Sequence, residues 1–329
     1  MPTITLANGR TFAAEHGTSV LDAALSQGLT LEYSCRTGRC GSCKARVLDG
    51  TSRPLRDEVS LEADELAAGW ILTCAREAET DLALDIEDLA ALAGIQPKTL
   101  PCRIRSLERV APDVMRVGLR LPPSATFGFL AGQYVDVIGS GGIRRSYSVA
   151  SSMADAAQIE LHVRRVDAGA MSDYWFERAS PNDLLRLHGP LGTFFLRDVG
   201  GLDLVFLATG TGYAPIQSML AQLATFDAAS SPASVSLYWG GRHRDDIYAD
   251  PALVFQDLAF TPVLSRAGDD WRGARGHVQD VLLRERGALD NATVYACGSD
   301  AMIHAARAAL LRAGLKPARF HSDAFVDSH

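Results

Sequence analysis

Four cysteines carry the most specific chemistry in this 329-residue chain. Cys35, Cys40 and Cys43 stand at C-x4-C-x2-C spacing, and Cys74 follows after a gap of 30 residues, the spacing by which plant-type proteins ligate a 2Fe-2S cluster. Two tetrahedral irons need four thiolates: a tight loop supplies three, and another part of the fold must bring the fourth. In YSCRTGRCGSCKA, Gly38, Gly41 and Ser42 keep the loop small, so that backbone N–H groups can turn toward sulfur and stabilise the charge of a reduced cluster. Zinc also accepts four thiolates, but structural zinc sites pair short C-x2-4-C knuckles, whereas here a triple faces a single cysteine. The spacing favours iron–sulfur.

A second group begins at Arg145-Ser146-Tyr147-Ser148. Strand alternation puts Arg145 and Tyr147 on one face, a cation for a phosphate beside a flat ring for a ring system, and Ser148 can offer a hydroxyl to a flavin nitrogen. Alone, this string reads equally well as a strand with an exposed arginine and a half-buried tyrosine. Its company favours the ligand reading: His162-Val163-Arg164 lies on the following strand, and Gly169-Ala170-Met171-Ser172 reads as a glycine turn opening a helix suited to a pyrophosphate. Further on, DLVFLATGTGYAPIQSMLAQLATF is an apolar strand, a glycine-rich turn and an amphipathic helix, which together present N–H groups to a phosphate. Gly210, Thr211 and Gly212 form that turn, while Pro215 stands where the third glycine of G-x-G-x-x-G would fall, so the dehydrogenase fingerprint is incomplete. Trp239-Gly240-Gly241-Arg242 and Cys297-Gly298-Ser299 close two further strands, the ends at which parallel sheets bind ligands. Cys297 is balanced between a buried small hydrophobe and a functional thiol. Phe325 is either a packing anchor or a cover for a flavin ring. Cys102 reads as core, and His188, His243, His277 and His304 show no metal-ligand grouping.

The elements that must position these groups fall into three parts. TITLANGRTFAAE reads as a hairpin with Asn8-Gly9 at its tip, SVLDAALSQGL as a helix capped by Ser19, KARVLDG as a strand, SLEADELAAGW as a short helix, and ILTC as the segment delivering Cys74. Pro97 and Pro101 break the periodicity, after which CRIRSLERV, VMRVGLRL, QYVDVIG, RRSYSVAS and IELHVRRV alternate as strands of an antiparallel barrel. SVSLYWGG, FTPVLS and ATVYACGS then alternate with the helical stretches DVLLRERG and AMIHAARAALLRAG, which predicts a parallel α/β sheet. The expected fold class is multidomain α+β and α/β. A β-grasp iron–sulfur domain is expected over 1–93, a linker over 94–100, an antiparallel β-barrel with a flavin signature over 101–198 and a dinucleotide-binding α/β domain over 199–329, which the resemblance below makes the FAD and NAD domains.

Composition is that of an ordinary globular protein, 47% hydrophobic and 22% charged, and the net charge of -7 excludes sequence-independent attraction to nucleic acid or anionic lipid. Residues 1–90 hold 8 basic and 15 acidic side chains and so form an acidic unit of their own, within which Arg36, Arg39, Lys44 and Arg46 crowd one segment. No apolar run approaches the ~18 residues of a membrane span. The opening MPTITLANGRTF has neither a basic nor an apolar signal region, so a cytoplasmic protein with reduced thiols is expected.

With these motifs in hand, the chain resembles the iron–sulfur flavoprotein reductases of the ferredoxin–NADP reductase superfamily along nearly its whole length, in the order ferredoxin, FAD domain, NAD domain. EYSCRTGRCGSCKA, LAGQYVDV, RRSYSVA, IELHVRR, GPLGTFFLRD, LYWG, VYACGS and the ending SDAFV carry the resemblance. Within the superfamily they are most similar to reductases that work with a pyridoxamine-phosphate sugar dehydrase in making 3,6-dideoxyhexoses. Reductases of aromatic-ring dioxygenases and multicomponent monooxygenases share most of the motifs.

The resemblance implies an NADH-dependent oxidoreductase passing electrons from NADH to FAD, to the 2Fe-2S cluster and on to an acceptor enzyme, a sugar dehydrase or an oxygenase component. A relay is needed because NADH gives two electrons as hydride while the cluster takes one at a time, and a flavin can split the pair. By resemblance, Arg145, Tyr147 and Ser148 hold the FAD phosphate and flank its ring, and His162, Val163, Arg164, Gly169, Met171 and Ser172 hold ribityl and pyrophosphate. Gly210, Thr211, Gly212, Pro215, Trp239, Gly240 and Arg242 line the nicotinamide nucleotide, and Cys297, Gly298 and Met302 sit near the nicotinamide. Phe325 covers the flavin. Ser148, Cys297, Asp323 and Phe325 form the implied catalytic group. Two residues depart from the family pattern: Thr209 stands where glycine is frequent, and Asp323 where glutamate is. Arg36, Arg39 and Lys44 are expected to steer the acceptor. Asp245 and Asp246 beside Arg242 and Arg244 favour NADH over its phosphorylated form. The remaining alternative is a non-enzymatic iron–sulfur sensor, against which the dinucleotide half speaks.

Overall fold

The structure is a computed structural model that describes residues 1–155 and 157–325. It divides into two compact units, Met1–Gln96 and Pro97–Phe325.

The first unit is built on a mixed sheet. Strands β1 (Thr3–Leu6) and β2 (Thr11–Ala13) form the expected hairpin, followed by α1 (Val20–Ser26), β3 (Lys44–Asp49), β4 (Ser52–Pro54), α2 (Ala63–Ala67), β5 (Trp70–Leu72), β6 (Arg76–Ala78) and β7 (Leu82–Leu84). The sheet runs β2-β1-β7-β3-β5, with β1 parallel to β7, and β4 pairs separately with β6. Alternation on β1 buries Ile4 and Leu6 against Val20, Leu21 and Ala24 of α1. Ser19 caps α1, its Oγ accepting from the Asp22 N–H at 3.1 Å. Helix α1 therefore packs on the sheet as the sequence predicts, and Cys43 and Cys74 belong to the same buried core.

In the second unit an antiparallel barrel is formed by β8 (Lys98–Ala111), β9 (Val114–Arg120), β10 (Tyr134–Ile138), β11 (Arg144–Ser148), β12 (Gln158–Arg164) and β13 (Leu184–Leu191), with α3 (Ala170–Asp173) before β13. The order is β11-β10-β13-β8-β9-β12, and a bridge between Val149 and Leu161 joins the two ends. Val117, Leu119, Val135, Val137, Leu161, Val163 and Leu187 fill the interior, each 0% exposed. Strand β8 opens at Lys98, inside the segment read as linker, because 98–103 pair with 184–189. Pro101 is tolerated there because β9 pairing begins only at Arg103, leaving β8 with a partner on one side. Strand β13 itself escaped the sequence reading, since Gly189-Pro190 near its end reads as punctuation.

The rest of this unit is a parallel sheet of β14 (Asp203–Thr209), β15 (Ser234–Gly241), β16 (Ala259–Leu264), β17 (Ala274–Arg275), β18 (Ala292–Ser299) and β19 (Phe320–Phe325), with α4 (Tyr213–Leu223), α5 (Val278–Glu285) and α6 (Asp300–Arg312). Its order is β17-β16-β15-β14-β18-β19. From β14 the chain winds outward through β15 and then returns to β18 on β14's other side, so the strand order reverses at β14. Such a switch point opens a crevice at the carboxyl ends of the strands. Among the described residues no helix is long and apolar enough to cross a membrane.

Candidate cofactor sites

In the first unit the four predicted cysteines come together as two pairs. Cys43 Sγ donates to Cys74 Sγ at 3.2 Å. Cys35 and Cys40 are hydrogen-bonded through their thiols, and Cys35 Sγ also accepts the N–H groups of Thr37 and Cys40 at 3.4 Å each. Within each pair the acceptor is acidified and the donor is not. The Cys40 thiol brings Cys35 down to about 4 and that of Cys43 lowers Cys74, while Cys40 and Cys43 are pushed up by donating and by burial. Two sulfur pairs, each able to give two thiolates to one metal once its shared proton is lost, suit two irons, whereas a lone zinc would gather all four about one point.

The local sequence explains this arrangement. Gly38 (φ +78°) and Gly41 (φ +73°) turn the loop through the left-handed region, and a Cβ on Gly38 would overlap the Asp57 carbonyl oxygen. Register places Lys44 opposite Leu72, and the Thr73 N–H and Oγ1 both donate to the Cys43 carbonyl, at 3.0 and 3.2 Å. The third and fourth ligands are thus stitched through main chain. Of the expected steering charges, Lys44 is not available: its Nζ binds both Glu65 oxygens at 2.6 and 2.7 Å. Arg36 is paired with Asp22, and Arg39 is exposed.

In the second unit, register confirms that Arg145 and Tyr147 share a face, opposite Val137 and Val135. Arg145 is exposed, while Tyr147 is half-buried, accepts Trp175 Nε1–H at 3.0 Å and has its hydroxyl pushed up to about 12 by burial. Ser148 is buried at the strand end. The residues of β12 need correction. Val163 points into the barrel core, so only its main chain can meet a ligand. His162 has both ring nitrogens engaged, Nδ1 with Tyr248 OH at 3.0 Å and Nε2 with Glu160 at 3.1 Å. Burial lowers its pKa, which keeps the ring neutral. Arg164 faces outward, bound to Asp113 at 2.8 Å, and its Nη1 lies 2.6 Å from where a Cβ of Gly210 would stand. Gly169 caps α3, whose Met171 and Ser172 are buried, and Ser172 Oγ accepts the Val166 N–H at 2.9 Å.

The glycine turn lies at the switch point. Gly210 adopts φ +52°. A Cβ on Gly212 would lie 2.5 Å from the Cys297 carbonyl carbon and 2.8 Å from Gly298 N, so the turn rests directly on the end of β18. Gly298 (φ +138°) in turn has no room for a Cβ beside Thr209. Thr209 Oγ1 accepts the Ser299 N–H at 3.1 Å, which gives the departure from glycine a structural purpose. Pro215 is buried in the first turn of α4, where an N–H is dispensable. Cys297 is fully buried, its thiol pushed up by burial and then by Asp323, its register partner on β19. Met302 N donates to the capping Ser299 Oγ at 3.4 Å, and Phe325 is 38% exposed opposite Ser299.

Trp239 is no ligand-facing ring. It is fully buried, donates Nε1–H to the Gly210 carbonyl at 3.1 Å and stacks on Tyr213 at 4.2 Å, with Tyr248 edge-on at 4.9 Å. Tyr213 and Tyr248, which the sequence reading passed over, complete the cluster with His162; the only signal in the sequence was an aromatic directly after the second glycine of the turn. Gly240 fits against Val278, and Arg242 keeps an exposed side chain while its N–H is taken by Asp246 Oδ2 at 2.6 Å, which also accepts the His243 N–H at 2.9 Å. Asp246 therefore shapes the loop, whereas Asp245 lines the adjoining cavity of about 240 Å³, together with Arg244, Arg266, Asp270 and Trp271.

Comparison with known proteins agrees with this geometry. Residues 4–79 match the 2Fe-2S iron-sulfur cluster binding domain, 101–196 the oxidoreductase FAD-binding domain and 206–308 the oxidoreductase NAD-binding domain. A CDP-6-deoxy-L-threo-D-glycero-4-hexulose-3-dehydrase reductase of Yersinia pseudotuberculosis is 41% identical over 98% of this chain and 97% of its own. Reductase component 2 of a Comamonas terephthalate 1,2-dioxygenase is 32% identical over 96% of this chain and 94% of its own. Among solved structures, an Amycolatopsis cytochrome P450 reductase superposes with a TM-score of 0.76 at 30% identity, covering 99% of both chains.

Proposed function

Because the chain belongs to the iron–sulfur flavoprotein reductases of the ferredoxin–NADP reductase superfamily, we propose that its acceptor is a pyridoxamine-phosphate sugar dehydrase of CDP-3,6-dideoxyhexose formation. The observation that carries this reading is the near full-length 41% identity to a dehydrase reductase, against 32% to a dioxygenase reductase over the same span. The motifs agree with it, since the relatedness extends through all three cofactor segments rather than one domain.

When bound, FAD takes hydride from NADH and releases electrons singly to the 2Fe-2S cluster. In this proposal Cys35 and Cys40 hold one iron, and Cys43 and Cys74 the other. Arg145 would neutralise an FAD phosphate, Tyr147 would flank the ring and Ser148 would offer its hydroxyl near N5. Arg164, with the main chain of His162, Val163, Gly169, Met171 and Ser172, holds ribityl and pyrophosphate. Gly210, Thr211, Gly212 and Pro215 seat the nicotinamide nucleotide against Cys297, Gly298 and Met302. Asp323 would hold charge behind Cys297, and Phe325 would cover the flavin. Trp239 and Gly240 support the turn from below, and Arg242 and Asp245 meet the adenosine end, where Asp245 disfavours a 2'-phosphate. An NADH-fed relay with reduced cysteine ligands supports a cytoplasmic setting.

The test is anaerobic incubation of the reconstituted protein and NADH with the CDP-4-keto-6-deoxyglucose dehydrase and its sugar, following deoxygenated product and, in parallel, cytochrome c reduction. Deoxygenated product is expected. Cytochrome c reduction without product would move the acceptor to an oxygenase component, the reading that the dioxygenase and P450 reductase likenesses favour.

A further inference from the structure

Segment 56–60 touches the thiol loop repeatedly. Arg56 Nη1 donates to the Arg36 carbonyl at 2.7 Å, the Asp57 carbonyl fills the space that Gly38 leaves open, and Ser60 N donates to the Gly38 carbonyl at 3.3 Å. In the middle of this segment Glu58 points the other way. One carboxylate oxygen accepts the Leu72 N–H at 2.9 Å, and the other accepts Arg76 Nε at 2.9 Å and meets Nη2 at 2.8 Å. Its side chain is 8% exposed and that of Arg76 18%. Leu72 and Arg76 stand two residues before and two after Cys74, so a single carboxylate grips both flanks of the fourth ligand while its own segment grips the loop bearing the other three.

We propose that Glu58 is a positioning residue for the iron–sulfur cluster, fixing the Cys74 thiolate against the three-cysteine loop. The Cys43–Cys74 sulfur separation is the one a second iron must find already set; the Thr73 bonds to the Cys43 carbonyl tie the two ligand segments together, and Glu58 adds the grip on Leu72 and Arg76 on either side of Cys74. The Leu72 N–H is buried, and without Glu58 it would be left without its acceptor, while Arg76 would lose its ion-pair partner and keep only its contacts with Ser52. Glu58 touches no sulfur in this arrangement and acts through the backbone of its two partners.

The inference rests on the four-thiolate reading, and its test separates the two. Full-length protein carrying FAD and reconstituted with iron and sulfide is compared as wild type, Glu58→Ala, Glu58→Gln and Cys74→Ser. The readouts are the electron paramagnetic resonance spectrum of the reduced cluster and the rate at which a chelator bleaches the oxidised one. NADH–ferricyanide activity, which needs the flavin alone, reports that the second unit is intact. Glu58→Ala is expected to shift the g values and bleach roughly tenfold faster or more, the scale of one orphaned buried donor. Glu58→Gln should fall between, since its amide oxygen keeps the Leu72 N–H but not the ion pair. Wild-type g values and bleaching within twofold in Glu58→Ala overturn the proposal. If Glu58→Ala is recovered without cluster, Glu58→Gln decides, faster bleaching supporting the role and a wild-type rate overturning it. A wild-type spectrum in Cys74→Ser would instead overturn the ligand assignment beneath it.

Discussion

Replacing Gly212 by alanine sets two physical effects against each other. The residue has ordinary right-handed helical dihedrals, φ -59° and ψ -12°, at the start of α4. Backbone entropy and helix propensity therefore predict that alanine stabilises, by about 0.4–1 kcal/mol. The packing predicts the reverse. A Cβ there would lie 2.5 Å from the Cys297 carbonyl carbon and 2.8 Å from Gly298 N, about 1 Å inside the 3.5–4.0 Å at which carbon contacts are favourable. Both neighbours are backbone of a central strand, so neither can swing aside, and the turn must lift from the end of β18. Overpacking of this kind destabilises by about 1–3 kcal/mol, roughly 2–12 °C for a unit of this size. The lifted turn should also disturb the seat of the nicotinamide nucleotide. FAD release on heating, followed by flavin fluorescence, and stopped-flow flavin reduction by NADH measure the two consequences. Gly287→Ala is the control, since Gly287 has no positive φ and nothing within 4 Å of its Cβ position. A Gly212→Ala protein that releases FAD at or above the wild-type temperature and is reduced at the wild-type rate would refute the close approach.

Three further outcomes follow from other contacts. Trp239→Phe keeps the stack on Tyr213 but loses the Nε1–H bond to the Gly210 carbonyl; a loss of about 1 kcal/mol should raise KM for NADH several-fold with FAD content unchanged, and an unaltered KM would sink the idea that the ring pins the turn. Arg39→Glu should slow electron delivery to the acceptor and reverse its dependence on salt, whereas Lys44→Glu, which breaks the pair with Glu65, should lower the thermal stability of the first unit. Stopped-flow measurement at two ionic strengths separates them, and a wild-type Arg39→Glu rate at low salt counts against steering. Burial, and then Arg197, hold His321 down to about 4 in the fold, while an unfolded histidine titrates near 6.5. Between those values the unfolded chain binds more protons, so stability should fall as pH drops from about 6.5 to 4, by up to about 3 kcal/mol. His321→Phe, which keeps a ring against Tyr295, should flatten that part of a denaturation-versus-pH series, and an unchanged slope would assign it to other groups.

What the sequence disclosed and what it hid divide along one physical line. The cysteine spacing, the glycine turn and the strand alternation are local patterns, and local backbone geometry is what spacing encodes; the barrel, the parallel sheet and the capped α1 could be read from them. Side-chain partners distant in the chain could not. Lys44 looked like a free cation until Glu65, 21 positions away, arrived beside it, and His162 looked like a phosphate ligand until Tyr248 came to its Nδ1 from 86 positions away. Asp246 read as a repulsive charge because nothing in a string of letters shows a carboxylate spent on two backbone N–H groups. Glu58 went unnoticed for the same reason, since its chemistry is common and its importance lies wholly in which two residues it reaches. Charged residues near a motif are therefore the weakest part of a sequence reading. Their electrostatic role depends on whether the fold neutralises them, and here it does so for Lys44 while leaving Arg39 exposed.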